Sequence, residues 1–329
     1  MYKNIIILFI LMLPCHYAKS DVNSYSENGY IDWSNGYVYA TGYGVQPTKY
    51  KGTGKGKLLA RRAAVVGAYR NLAEIVKGVR ITSTAKLVNL IQKDIVTKTK
   101  INALIKGAEI VSTKYVGSIA EVNMKMPIRQ KFLNIVIPRK KLKNIISSNL
   151  FYYSFNNIFK SLPTIISNAN ASTDNNLVID NEEQLDWSHS LLNYPGRDLR
   201  KPLSRAIKEF EKNSEISGLV IDARTVSDFE IAAMPRLVTS EGKSLYPSIN
   251  TSYEYLTNNR PVRYENDVKN AVNHKRVSDN AMLIHSTKVY KKRVSDLIIS
   301  DEDVDRLKKY ISSKVSAINK ARVIIVVGE

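Results

Sequence analysis

Two charged residues two positions apart, Asp222 and Arg224, come nearest in this sequence to a polar site. They lie at the end of the apolar run SGLVIDAR (217–224), which has the composition of a buried strand. Side chains alternate across a strand, so residues separated by two positions lie on one face. A carboxylate and a guanidinium at that point can form a candidate site, but a structural ion pair or a turn cap has the same sequence and is more common. We therefore predict a structural pair.

The segment GTGKGK (52–57) has the composition of a phosphate-binding loop but not its spacing. A P-loop requires a glycine, four residues, and then Gly-Lys-Ser or Gly-Lys-Thr. Here Gly56-Lys57 is followed by Leu58, and no glycine lies at the required earlier position. The segment is not a dinucleotide-binding pattern either, because the glycine spacing is wrong and no acidic residue stands in a ribose-binding position ~20 residues onward. We predict a basic loop that leads into a helix, whose N-terminus can accept an anion.

Neither metal binding nor nucleophilic catalysis has a recognisable pattern. Beyond the first 20 residues the histidines are His189, His274 and His285, which lie far apart, whereas a zinc site requires clustered ligands. The acidic run at 301–305 follows a serine and lacks the glycine and spacing of a calcium loop, so it predicts a capped helix N-terminus. No G-x-S-x-G segment is present. We expect no metal, no cofactor and no enzymatic activity; an enzyme centred on the aspartate–arginine pair is the weakest alternative.

The first 20 residues have the pattern of a secretory signal peptide. Lys3 supplies a positive charge, residues 5–14 are apolar, and Ala18-Lys19-Ser20 places small residues at the −3 and −1 positions of a cleavage site. No later segment is apolar over the ~20 residues that a membrane span requires. We predict an exported chain that begins at Asp21, without a transmembrane span, in the periplasm or attached to the outer membrane.

Cys15 is the only cysteine, and cleavage after Ser20 removes it. Acylation at Cys15 would instead make the chain a lipoprotein. A lipoprotein signal places small residues next to the cysteine, and Pro14 stands there in this sequence. We therefore favour a mature chain without cysteine, which relies on its core rather than on disulfides.

Basic residues exceed acidic ones by 49 to 30, so the net charge is +19. This excess favours anionic neighbours such as phospholipid headgroups, polysaccharide or nucleic acid. The basic residues are spread along the chain and lack the interleaved aromatic residues of a single-strand-binding surface. Export also argues against nucleic acid. A solvated surface is our main interpretation, and an anionic lipid or polysaccharide is the alternative.

The segment LLARRAAVVGAYRNLAEIVKGVRI (58–81) has a helical period. Ala60, Ala64, Gly67 and Ala68 form a strip of small residues, which lets a helix approach a sheet closely. Glycine lowers helix propensity by about 1 kcal/mol relative to alanine, so we expect close packing at Gly67 to compensate.

Polar residues border the same helix. We predict a surface pair between Arg70 and Glu74, which stand four positions apart. With Asn71 they are expected to fix the exposed edge of the helix or a subunit contact, while Leu72 packs. Gly78 is expected to end the helix at the C′ position.

The segment 21–35 is polar, and we predict a flexible leader there. The first folded unit, 36–138, follows. Its predicted elements are a strand at 36–44, a helix at 58–76, a strand at 79–84, a helical region at 86–106 broken near 97–100 and closed by Gly107, and antiparallel strands at 108–115 and 119–126.

A connector, irregular or helical, is predicted at 139–200, and a C-terminal α/β domain at 201–329. The predicted elements of this domain are an amphipathic helix at 201–213, a buried strand at 217–224, a hairpin that turns at Glu241-Gly242, a strand from Asn280, a helix that starts at Ser300, and a terminal strand apolar enough to be central in its sheet. The fold class is α+β: two small domains, each a mainly antiparallel sheet covered by helices.

Three segments between residues 37 and 128 carry a family motif: Gly42-Tyr43-Gly44, the helical segment ARRAAVVGAYRNLAEIVKGVRI, and KGAEIVSTKYVGSIAEVNMKMPI. They resemble the LPP-twenty family, which is named for a small bacterial outer-membrane lipoprotein and includes a flagellar outer-membrane protein. The family pattern is Ala-Ala-x-x-x-Ala-x-Arg-Asn-Leu-Ala-Glu, then Gly-Val-x-Val, a Gly-Ala-x-Val-Val strand and Glu-Val-x-Met. The matching positions are Ala63, Ala64, Arg70, Asn71, Leu72, Ala73, Glu74, Gly78, Val79, Gly107, Ala108, Val111, Glu121, Val122 and Met124.

The resemblance implies a cell-envelope location and no catalytic residues. More loosely, the C-terminal half resembles the end of longer envelope proteins that carry the same N-terminal unit. Our hypothesis is an exported envelope protein with a structural or assembly role, outer-membrane or flagellum-associated, acting through self-association or other envelope proteins. The alternative is a periplasmic binding module for an anionic polymer or ligand.

Overall fold

A computed structural model describes residues 21–139, 142, 204, 216–277, 280–312 and 316–328. The predicted signal peptide, most of the predicted connector and all but one residue of the predicted helix at 201–213 lie outside this part of the chain. None of the described helices combines the length and the hydropathy that a membrane span requires.

The N-terminal unit is built on a five-stranded antiparallel sheet in the order β1-β2-β3-β7-β6. Its strands are β1 (Asn23–Ser26), β2 (Gly29–Asp32), β3 (Tyr37–Val45), β6 (Glu109–Val116) and β7 (Ile119–Pro127). The prediction of a flexible leader at 21–35 was wrong, because β1 and β2 form a hairpin on the edge of β3. The polar residues that suggested a leader lie on a half-exposed edge, while Ile31 and Trp33 are buried.

The predicted packing helix is confirmed as α1 (Gly54–Gly78), four residues longer at its start. The Thr53 side chain accepts a hydrogen bond from Gly56 N and caps its N-terminus. Gly78 is the last helical residue rather than the residue beyond the helix, and Val79 follows as the C-cap. The helix lies across β3 and β7.

Smaller elements complete the first unit: β4 (Arg80–Thr82), β5 (Ala85–Lys86), α2 (Leu87–Lys93), α3 (Ile95–Lys106) and α4 (Gln130–Val136). The predicted helical region at 86–106 is broken at Asp94, not in the threonine-rich stretch, because Asp94 caps α3 by accepting from Val96 N. Gly107 ends α3, as predicted, and its N–H bonds the carbonyls of the last turn.

The C-terminal unit is a seven-stranded sheet in the order β10-β9-β13-β12-β8-β14-β11. Its elements are β8 (Gly218–Asp222), β9 (Arg236–Val238), β10 (Ser244–Tyr246), α5 (Tyr253–Asn259), β11 (Arg263–Glu265), α6 (Val268–Val272), β12 (Ala281–Tyr290), β13 (Arg293–Ile299), α7 (Asp301–Ser312) and β14 (Val323–Val326). The terminal strand β14 is interior but next to the edge.

The α+β class is confirmed, but strand direction in the second sheet differs from the mainly antiparallel prediction. Of the six pairings described there, four are parallel and two, β9–β10 and β12–β13, are antiparallel. Parallel strands buried on both sides are continuously apolar. The fully buried β8 and β14 have this composition, which the sequence shows without revealing their direction.

The two units share one core and a polar contact. A single cluster of buried apolar side chains includes Val38 and Leu72 from the first unit and Ile221 and Leu297 from the second. The main chains also join, since Ala233 N donates to Arg80 O at 2.9 Å.

Trp33 and Ser34 form the polar part of this contact. Both carbonyl oxygens accept from the Arg260 guanidinium, at 2.7 and 2.8 Å. The buried Ser34 hydroxyl donates to Tyr264 O and accepts from Val22 N. The Trp33 ring meets that of Tyr264 edge-on, with centroids 6.0 Å apart.

Candidate functional site

Close contact between β3 and α1 determines the geometry of the N-terminal unit. A Cβ placed on Gly42 would lie 2.2 Å from Ala64 O, and one on Gly44 would lie 2.1 Å from Ala60 O. Backbone atoms occupy this space, so only glycine permits the approach. At Gly67 a Cβ would have its nearest neighbour at 3.6 Å, an ordinary contact. The glycines that allow close packing are therefore those of the strand, and the prediction for Gly67 was wrong.

Asn71 contacts β3 just beyond the last residue that pairs with β2. Its Nδ2 donates to Thr41 O at 2.7 Å. Within the described chain, β2 pairs with β3 only as far as Ala40, whereas β7 follows β3 to Val45. Polar backbone groups alternate between the two edges of a strand, so those of Tyr43 and Val45 lie on the edge away from β7.

A groove lies between this free edge and the flank of α1, which we call the α1–β3 groove. Its volume is about 460 Å³. Apolar side chains are exposed there, with Tyr43 at 58% and Val66 at 55% of full exposure. The lining residues are Tyr43, Leu59, Arg62, Ala63, Val66, Gly67 and Arg70.

The charge around the α1–β3 groove is positive. Arg70 lines the groove and does not make the predicted pair with Glu74; instead Glu74 accepts from Lys77 Nζ at 2.7 Å. The basic side chains of α1 are Lys55, Lys57, Arg61, Arg62, Arg70 and Lys77, against the single acidic Glu74. An apolar surface bordered by arginines suits a protein partner with carboxylates at its margin.

The remaining residues of the predicted motif pack in the core or lie at helix ends. Leu72 and Ala64 are fully buried under the helix. Gly107 ends α3. A Cβ on Gly78 would meet nothing within 4 Å, so its side of the helix end is open. The structure brings together Gly42, Gly44, Ala64, Arg70 and Asn71. Gly78 and Gly107 lie apart from this group.

The structure places Asp222 and Arg224 in a bidentate ion pair at the end of β8. Arg224 Nε donates to Oδ1 at 2.9 Å and Nη2 donates to Oδ2 at 2.8 Å. The hydrogen bond from Arg224 holds the pKa of Asp222 below its usual range. Sequence reasoning missed His285, which β12 places opposite Asp222, with Nδ1 3.6 Å from Oδ2. Nothing in the sequence relates these two strands.

The geometry of Asp222 and Arg224 is that of a structural ion pair rather than of a catalytic acid or base. The Asp222 side chain is 10% exposed while that of Arg224 is 47% exposed, so the arginine covers the carboxylate from solvent. A general base requires a free carboxylate oxygen within reach of a substrate proton. Here both oxygens accept from one guanidinium. Among the described residues, no group of three or more His, Cys, Asp or Glu side chains could hold a metal ion.

A family model described as Treponema pallidum Tp0624, second domain, matches residues 218–329. The match starts at the first residue of β8 and takes in the C-terminal unit from there on. It covers 112 of 329 residues, about a third of the chain, and shows similarity of that unit only. No curated protein matches this chain.

Proposed function

We propose that this chain is an exported cell-envelope protein with a structural role, and that it assembles head to tail with further copies of itself through the α1–β3 groove. The observation that carries this proposal is the exposure of Leu59, Val66 and Tyr43 beside a strand edge that no described strand pairs with. A grouped apolar surface rimmed by charge is typical of a protein interaction site.

Charge complementarity supports the first turn of α7 on the next copy as the partner surface. Asp301 and Glu302 are exposed there, and the Ser300 hydroxyl caps the turn by accepting from Asp303 N. This acidic turn lies in the C-terminal unit, whereas the basic groove lies in the N-terminal one. A contact between two different surfaces is heterologous, so repeating it gives a closed ring or an open filament.

The signal-like N-terminus and the resemblance of residues 37–128 to the LPP-twenty family support placement in the envelope. The test is fractionation of native cells with mass analysis of the mature N-terminus. We expect an N-terminus at Asp21 in the periplasmic or outer-membrane fraction. An acylated Cys15 would make the chain a lipoprotein, and a cytoplasmic chain that retains Met1 would contradict export.

A charge-swap experiment tests the head-to-tail contact. Arg62→Glu and Glu302→Arg each place like charges across the contact, and we expect each to weaken self-association about tenfold or more in sedimentation velocity. The two changes in one chain restore an opposite pair, so the double variant should recover most of the association.

Lys98→Glu, on the exposed side of α3, is the matched control and should leave association unchanged. A chain that remains monomeric at all concentrations contradicts the proposal. So does a double variant weaker than either single one, because the two charges would then not face each other.

A further inference from the structure

A basic cavity of about 450 Å³ lies at the amino ends of β11 and β14, opposite the end of the sheet that carries Asp222. Six basic side chains line it: Arg260, Arg263, Arg276, Arg322, Lys275 and His274. None of them belongs to the α1–β3 groove or to the acidic turn of α7.

Backbone carbonyls hold the arginines around this cavity. Arg276 Nη1 donates to Asn259 O at 2.6 Å, and Nη2 donates to Arg260 O and Ala321 O. Arg322 Nε in turn donates to Arg276 O at 2.7 Å. Three separate segments are thereby tied together, so the positions of the cations are fixed before any ligand arrives.

The cations of the cavity have little negative charge to balance them. Among the arginines of the cavity, the one ion pair within the described chain is that of Arg263 with Glu265, at 2.5 Å. The other acceptors are carbonyl oxygens, which satisfy hydrogen bonds but carry no formal charge. Burial and the neighbouring arginines consequently lower the pKa of Arg260 to about 9 and that of Arg276 to about 10.

Two nitrogen atoms of this group also lack an acceptor in the described chain. Arg263 Nη2 and Arg276 Nε are buried without a hydrogen-bond partner. The Arg263 side chain is 9% exposed, so bulk water does not compensate for the missing bond. Buried unpaired donors are uncommon in folded proteins and often mark the place of an ion or a water molecule.

We propose that this cavity binds the phosphate group of an anionic ligand. The planar fork of arginine matches the oxygens of a phosphate, and a dianion balances several cations better than a monocarboxylate does. The volume suits a small phosphorylated molecule or a lipid headgroup, since ligand sites commonly measure ~300–1,000 Å³. Arg322 and Lys275 contact the ligand from the more exposed side, while Arg260, Arg263 and Arg276 form the floor.

The competing explanation is that the arginines only join the two units and the loops around them. It accounts for the carbonyl contacts but not for the uncompensated charge. It also predicts no saturable anion binding, so a binding measurement separates the two.

The first experiment is calorimetric titration of the full chain with inorganic pyrophosphate at low salt. We expect saturable binding near one equivalent, and a rise in melting temperature with pyrophosphate concentration, because a ligand bound to the native state stabilises it. The double variant Arg322→Gln with Lys275→Gln should weaken binding about tenfold or more while it keeps its circular dichroism spectrum. This pair spares Arg260, Arg263 and Arg276, which form the floor, and removes one loop contact, the hydrogen bond from Arg322 Nε to Arg276 O.

The matched control is Lys98→Gln with Lys292→Gln, which removes the same charge from exposed positions elsewhere and should leave the affinity within about twofold. Equal weakening by both pairs would show diffuse charge attraction and overturn the site.

Vesicles distinguish the two sources of phosphate. Flotation with vesicles containing phosphatidic acid, lost in the cavity variant and absent with phosphatidylcholine alone, would assign a lipid headgroup. Pyrophosphate binding without flotation would assign a soluble ligand. If the chain shows no pyrophosphate binding and no flotation at low salt, the inference is refuted. The site does not depend on the head-to-tail contact, since the charge-swap variants leave the cavity intact.

Discussion

Gly42→Ala tests the close contact between β3 and α1. The added Cβ would lie 2.1 Å from Ala68 N and 2.2 Å from Ala64 O, whereas ordinary contact begins at 3.4 Å. The axis of α1 must therefore retreat by about 1 Å, against the packing of Leu72 and its neighbours. Overpacking of this kind costs about 1–3 kcal/mol. Alanine also lowers the conformational entropy of the unfolded chain. This stabilises the folded state by about 0.4–1 kcal/mol where the native backbone conformation suits alanine. We expect a net loss of about 1–2 kcal/mol in the free energy of unfolding.

Gly67→Ala is the matched control on the facing helix. Its Cβ meets its nearest atom at 3.6 Å, so no movement is required. The gain in helix propensity is about 1 kcal/mol, and the variant should be more stable than the native chain. The assay is urea unfolding followed by far-UV circular dichroism for both variants. Equal effects of the same sign would refute our account of the α1–β3 contact.

Three further changes test other parts of the structure. Asp222→Asn should lower the urea midpoint at neutral pH. Because the folded pKa of Asp222 is depressed, its contribution is present above the unfolded value and is lost as the pH falls through the folded one, so the difference from native should vanish in acid. Asp296→Asn leaves the buried Arg236 without its carboxylate and should cost about 3–5 kcal/mol in the same unfolding assay. Ser34→Ala removes the acceptor of the buried Val22 N–H and should cost about 1–3 kcal/mol, measured by calorimetry.

Local chemistry was the predictable part of this fold. The period of residues 58–76 predicted α1, the turn at Gly242 predicted the β9–β10 hairpin, and Ser300 predicted the start of α7. Each depends on a pattern within a few turns or one strand pair. The interactions that stabilise these elements join residues close together in the chain, so their pattern is visible in the sequence.

Long-range relations explain the errors. Strands β8 and β12 are joined by more than 50 residues of chain. The hydrophobic pattern of each strand does not reveal that they pair in parallel. The same holds for the hairpin at 23–32, which is ordered by its contact with β3 and by Trp33 against the second unit.

The sequence did not predict the arginine cavity, again because it depends on contacts between distant parts of the chain. Arg260, Arg276 and Arg322 come from three separate loops, and in the sequence each resembles a surface cation. The net charge predicted an anionic neighbour, but only the fold brings these residues to one place. For the α1–β3 groove, the helix was predictable, whereas the end of β2 pairing at Ala40 was not.

The head-to-tail contact is tested most directly by photo-cross-linking in native cells, with a photoreactive residue in place of Val66 in the full chain. Mixing light- and heavy-isotope copies distinguishes contacts between chains from contacts within one. The account predicts a cross-linked peptide from residues 300–305 of a second copy. A cross-link only within one chain, or only to another protein, would contradict it.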